Sequence, residues 1–197
     1  MDQLHPIEVR VLGALLEKDI ATPEYYPLTL NSLQNACNQK SSRDPVVNYD
    51  ENTVAQALEL LQNKGLVMRI SGSGHRVEKF AHRLGEKLNL GRRELAILCV
   101  LMLRGAQTVG ELRGRTERMH DFADMDEVER VLQSLAEQNL VAPAARGRWI
   151  QLFSPPSDAA EPEPASVRSA LEDRVATLER EIEDLKRQFD VFRKQFE

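Results

Sequence analysis

The chain has 197 residues, 42% of them hydrophobic and 29% charged, with 26 basic and 31 acidic side chains and a formal net charge of −5. That length and composition allow two compact domains of ordinary size plus an appendage, and give no sign of a single large enzyme core. No apolar run approaches the roughly 18 residues of a membrane span, and Met1-Asp2-Gln3-Leu4-His5 lacks the basic flank of a signal peptide, so a soluble cytoplasmic protein with no membrane contact is expected.

In chain order, Pro6 suits the first turn of a helix whose apolar face is Ile7, Val11, Leu12, Leu15 and Leu16. A loop from Asp19 to Pro27 follows, and Thr29 caps a second helix with Leu30, Leu33, Ala36 and Cys37 inward. Residues 38–49 read as a long polar loop, because Pro45 stops the helix from continuing. Asp50 or Asn52 starts a third helix, with Val54, Ala57, Leu58 and Leu61 on its core face and Gly65 at its end. Val67 to Ile70 and Arg76 to Phe80 form a hairpin around Ser71-Gly72-Ser73-Gly74-His75. After a bridge from Ala81 to Leu90 the plan repeats: Arg92 to Arg104, Thr108 to about Thr116, Asp126 to Gln138, and a hairpin ending in Phe153.

The repeat is visible residue by residue. Val54 to Val67 returns as Val128 to Val141 with its apolar positions in register, and Glu8, Val9, Val11, Leu12 and Leu15 return as Glu94, Leu95, Ile97, Leu98 and Leu101. Thr29, Leu30 and Leu33 correspond to Thr108, Val109 and Leu112. Duplication on this scale marks two copies of one small domain. The copies differ in their connectors and wing tips: the first has the long polar loop and a Gly-Ser-His turn, the second the short acidic connector Asp121 to Asp126 and the turn Ala144-Ala145-Arg146-Gly147-Arg148.

A Pro-rich acidic linker, residues 154–165, leads to an amphipathic helix over 166–197. There Leu171, Val175, Leu178, Ile182, Leu185, Phe189 and Phe192 recur in steps of four and three. β-Branched residues at a and Leu at d match a parallel coiled-coil dimer, and self-association through this helix is expected; the alternative is that it folds back on its own chain. Residues 158–197 carry 11 acidic and 7 basic side chains, which leaves the two copies near neutral.

Three helices followed by a hairpin look like a winged helix, the helix-turn-helix variant whose hairpin is the wing. The expected fold is mainly α with small β-hairpins (α+β): two tandem winged-helix domains, 1–85 and 86–153, and the C-terminal coiled-coil-like helix. The segments Tyr25-Tyr26-Pro27-Leu28-Thr29-Leu30-Asn31, Ala36-Cys37-Asn38-Gln39-Lys40-Ser41 and Arg43-Asp44-Pro45 closely resemble the bacterial YceH-like family. The resemblance covers about residues 4–153 and implies tandem winged helices without implying a ligand or an operator.

If the third helices entered a DNA major groove, their first turns would meet the base edges. Asp50, Glu51, Asn52, Thr53 and Gln56 stand there in the first copy, and Asp124, Asp126, Glu127 and Glu129 in the second. The carboxylates oppose phosphate and suit helix capping better. The DNA-contact candidates are therefore Asn38, Gln39, Lys40 and Arg43 in the loop, Arg69, Ser73, His75 and Arg76 on the first wing, and Arg146 and Arg148 on the second. Against them stands the reading that polar loop residues merely satisfy backbone groups. Arg113, Arg115 and Arg118 form a further cationic set. A pI near 5.5 is far below the value above about 9 that marks a plainly nucleic-acid-binding domain, so a protein-docking scaffold is the rival to a double-stranded DNA partner.

Chemistry is not foreseen. His5, His75, His82 and His120 are scattered, Cys37 and Cys99 lie in apolar helical surroundings, and no phosphate loop or nucleophile elbow occurs, so no catalytic residue, metal site or cofactor is expected.

Overall fold

The computed structural model describes residues 3–71 and 77–155, all within one compact unit, Met1–Pro156. Helix α1 (Pro6–Ala21) opens on a capping box: His5 accepts the Ile7 N–H, and the Glu8 carboxylate accepts the His5 N–H at 2.7 Å. It runs two residues past Asp19, and a 3-10 turn (Pro23–Tyr25) then leads into β1 (Leu28–Thr29). Thr29 caps α2 (Leu30–Cys37) by accepting the Ser32 N–H, and Asp50 caps α3 (Glu51–Asn63) by accepting the Thr53 N–H. Strands β2 (Val67–Ile70) and β3 (Lys79–His82) form the hairpin, with β3 displaced towards the C-terminus of the expected Arg76 to Phe80.

Helix α4 (Leu84–Leu88) occupies the bridge. The second half follows as α5 (Arg92–Arg104), β4 (Gln107–Thr108), α6 (Val109–Thr116), α7 (Met125–Glu137), β5 (Val141–Ala144) and β6 (Arg148–Gln151). Thr108 and Asp124 repeat the capping roles of Thr29 and Asp50. The fold is thus mixed α+β and mostly helical, with two small antiparallel sheets.

The sheets share one topology. Their orders are β1-β3-β2 and β4-β6-β5, and in each the short strand before the second helix pairs with the return strand of the hairpin. Leu28 faces Phe80 as Gln107 faces Trp149, so Trp149 packs as a strand residue. The third helices also end alike. Gly65 (φ 67°) and Asn139 (φ 57°) are left-handed, and the next residue's N–H returns to the carbonyl of Leu61 or Leu135 at 2.9 Å.

A single apolar core crosses both halves and includes Val11, Leu12, Leu15, Leu58 and Leu61 with Ile97, Leu98, Leu101, Leu132 and Leu135. Its axis is α1 packed along α5, the most extensive helix pairing of the fold. They meet tightly at Gly13, where an added Cβ would stand 3.0 Å from both Leu103 Cδ2 and Met102 Cβ. The Cys99 thiol lies 3.5 Å from the Gly13 carbonyl oxygen. The Leu4 N–H donates to the Phe153 carbonyl at 2.6 Å, and the Asp44 N–H to that of Leu103 at 2.9 Å, which ties the halves together at the backbone.

Candidate functional site

The polar segment between α2 and α3 is built inward as much as outward. Asn38 clamps Tyr49, its amide donating to the Tyr49 carbonyl and accepting the Tyr49 N–H, each at 2.8 Å. Arg43 is turned into the protein, its side chain fully enclosed. Its guanidinium donates twice to Glu17, at 2.9 and 2.6 Å, and also to the carbonyls of Ala36 and Ser42 and to Gln39 Oε1. Those bonds occupy the fork that a phosphate would need. Gln39 accepts from Arg43 and from Lys18. Of the four loop candidates, Lys40 alone is exposed.

The two hairpins divide similarly. Arg69 is exposed and pairs across the hairpin with Glu78 at 3.0 Å, an ion pair open to solvent and worth little. Arg146 stands exposed at the tip of the second hairpin with φ 60°. Arg148 is held to the Ala106 carbonyl at 2.7 Å and to Glu111 at 3.2 Å. Ser73, His75 and Arg76 lie outside the described residues, as do Leu171, Val175, Leu178, Ile182, Leu185, Phe189 and Phe192. Ser154, at the start of the expected linker, is buried against Gln151.

The third helices present different faces. On α3 the exposed residues are Glu51, Asn52, Gln56, Glu59, Leu60 and Asn63, three of them neutral amides. On α7 the exposed residues are Met125, Asp126, Glu129, Arg130, Gln133, Ser134 and Glu137, with an acid and a base where α3 has Asn52 and Gln56. The acidic first turns have the local cause foreseen for them. Asp50 sits below the ordinary carboxylate range through its bonds to Thr53, and Glu127 does so chiefly through the Ala123 N–H, with Arg93 and His120 nearby.

Several charged residues at the heart of the fold were invisible to periodicity. Arg10 is buried, donates to the Pro45 carbonyl at 2.5 Å, and keeps Nη1 without a partner; burial pulls its pKa down. Glu8, also buried, takes a 2.7 Å bond from Lys64 at the end of α3. Both cysteines are buried free thiols. Burial pushes Cys37 up to about 12 and raises Cys99 further still, so neither offers a thiolate nucleophile at neutral pH. Among the described residues no cluster of His, Cys, Asp or Glu could hold a metal ion, and no helix is long and apolar enough to cross a membrane.

Comparison with known proteins places this architecture in a lineage. Residues 4–147 match the family model described as "Protein of unknown function, DUF480". The chain belongs to the DUF480/UPF0502 family. This agrees with the YceH-like resemblance carried by the Tyr25 to Asn31 motif. A UPF0502 protein of Solibacter usitatus is 54% identical over 99% of this chain and 98% of its own length. Relatives from Citrifermentans bemidjiense and Shewanella pealeana are 52% and 46% identical, over 89% and 94% of this chain and 86% and 96% of theirs. The motif residues themselves serve the architecture here: the Tyr26 hydroxyl accepts the His82 N–H at 2.6 Å, Thr29 caps α2, and Arg43 locks the loop to α1.

Proposed function

We propose that this UPF0502 protein is a non-enzymatic, DNA-associated regulator built from two winged-helix domains, residues 1–85 and 86–153, with the first domain facing the duplex. The observation that carries the reading is the doubled topology. Each half runs helix, short strand, helix, capped helix and hairpin, and the short strand pairs with the hairpin's return strand. In a winged helix that order leaves the third helix and the wing on one face, available to a groove and its flanking phosphates.

The two halves are unequal to the task. On α3, Asn52 and Gln56 stand one turn apart with exposed side-chain amides, the chemistry that reads adenine edges. Lys40 before the helix and Arg69 on the wing supply cations for phosphate. Both third helices also carry carboxylates that oppose a duplex, Glu51 and Glu59 on α3 and Asp126, Glu129 and Glu137 on α7, but at the positions aligned with Asn52 and Gln56 the second half has Asp126 and Arg130, which favours a second reading for that half, a surface that docks protein. Pairing of two chains through the heptad segment belongs to the same reading and would bring two first domains to one site.

The test is titration of fluorescent duplex DNA at low and moderate salt. The wild-type chain is expected to bind with strong salt dependence, and Lys40→Gln and Arg69→Gln each to lower the salt slope by roughly one unit. Absence of binding even at low salt would overturn the DNA reading.

A further inference from the structure

A cleft of about 270 Å³ opens where the end of α1 and the polar loop of the first half meet α5 and α6 of the second. Its wall is unusual in sign. Lys18 reaches it from α1, Arg104 from the last turn of α5, and Arg115 and Arg118 from the end of α6 and the turn beyond. The hydroxyls of Thr22, Ser41 and Ser42 complete a lining rich in donors.

The single carboxylate in the wall, Glu17, is already spent on the enclosed Arg43 at 2.6 Å and on Lys18 at 3.4 Å. Gln39 Oε1 is likewise taken by Arg43 and Lys18. Arg115 shares Glu111 at 3.3 Å with Arg148, and among the described residues no ion pair forms at Arg104 or Arg118. Burial, followed by the charges of Arg115 and Arg43, pulls the Arg104 pKa down, so its cation is held where further positive charge is unwelcome and negative charge would relieve it.

We infer that this cleft is a binding site for a small phosphomonoester, held by Lys18, Arg104, Arg115 and Arg118 with the loop hydroxyls. Guanidinium forks and hydroxyls match the oxygens of a phosphate dianion, and the cleft, just under the roughly 300–1,000 Å³ of drug-sized pockets, has room for a phosphate on a small carbon skeleton. Because the cations come from both halves, the bound ligand bridges them. The site is independent of the DNA reading, and its test needs no operator.

Isothermal titration of the full chain with inorganic phosphate and with glycerol 3-phosphate, at fixed ionic strength, is expected to give saturable binding, tighter for the ester. Arg104→Gln and Arg118→Gln are each expected to weaken it by about tenfold or more, as loss of a charge-assisted hydrogen bond implies, while Arg83→Gln, at an exposed arginine outside the cleft, leaves it unchanged. Arg118 is exposed, so its replacement keeps the test valid should Arg104→Gln fail to fold. Duplex DNA forms a separate arm. No saturable binding of either phosphate, equal weakening by Arg83→Gln, or loss of DNA binding in the Arg118→Gln chain without any small-phosphate binding would each overturn the assignment, the last by giving the cleft to the nucleic-acid backbone.

Discussion

A guanidinium enclosed on every side, as at Arg43, stabilises the fold only while its carboxylate partner stays charged. Burial alone would push the Glu17 pKa up, but the hydrogen bonds and charge of Arg43, with Lys18, bring it below its ordinary 4.5. A folded-state value below the unfolded one contributes stability above pH 4.5 and loses it as pH falls through the folded value. Arg43→Ala removes the lowering partner and leaves a desolvated carboxylate. We expect it to cost roughly 3–5 kcal/mol in urea unfolding at neutral pH, with the deficit against the wild type narrowing as pH falls, because the desolvated Glu17 then takes up its proton more readily in the folded state while the wild type loses its ion pair. Full stability in that variant would show the pair to be idle. Residue types in sequence could not separate this arginine from Arg69, because both sit in polar, turn-rich stretches. Only the packing of the loop on α1 shows that one faces Glu17 from inside and the other faces solvent. Asn38 gives the same lesson, since its amide spans the loop to Tyr49 instead of facing outward.

The elements carry their stops and starts in both copies, and there the sequence was most legible. The third helices were readable because their apolar spacing repeats and because Asp50, Asp124 and Gly65 are strong end signals. Asn139, aligned with Gly65, does the same backbone work with a side chain attached. Gly65→Ala should therefore cost about 1 kcal/mol from the left-handed backbone, whereas Asn139→Gly should be neutral or slightly stabilising, both measured by thermal or urea unfolding. A loss of stability in Asn139→Gly would mean that the side chain makes a contact beyond the cap. Strands β1 and β4 escaped notice because two residues are too few for an alternating pattern to form. Helix α4 is a five-residue turn in a stretch with no cap signal, and the hairpin's displacement to His82 reflects the pairing of Val67 with that residue.

At the scale of the whole molecule, the repeated order of elements was legible, while the joining of the halves around one core was not. Repetition announces two similar parts but says nothing of which faces meet. The joint is tight at Gly13, because an added Cβ on α1 would stand 3.0 Å from Met102 Cβ, an atom fixed to its own helix. Gly13→Ala gains helix propensity worth about 1 kcal/mol, yet asks α5 to give by a few tenths of an ångström; overpacking of this kind costs about 1–3 kcal/mol, so a net loss in unfolding free energy is expected. A more stable Gly13→Ala chain would mean that the joint has slack.

Gly13 and Cys99 also stand at the same place in the duplicated unit, each five residues beyond the matching Glu8 and Glu94. A position that meets its own counterpart is the signature of an isologous contact, the kind that holds a symmetric homodimer together. Here both partners are carried on one polypeptide, so dilution cannot part them and neither half has to preserve a surface fit for assembling with strangers. A pair wedded in this way keeps its seam while its outer faces are released to diverge, and Asn52 and Gln56 on α3 against Asp126 and Arg130 at the matching positions of α7 are two outcomes of that release.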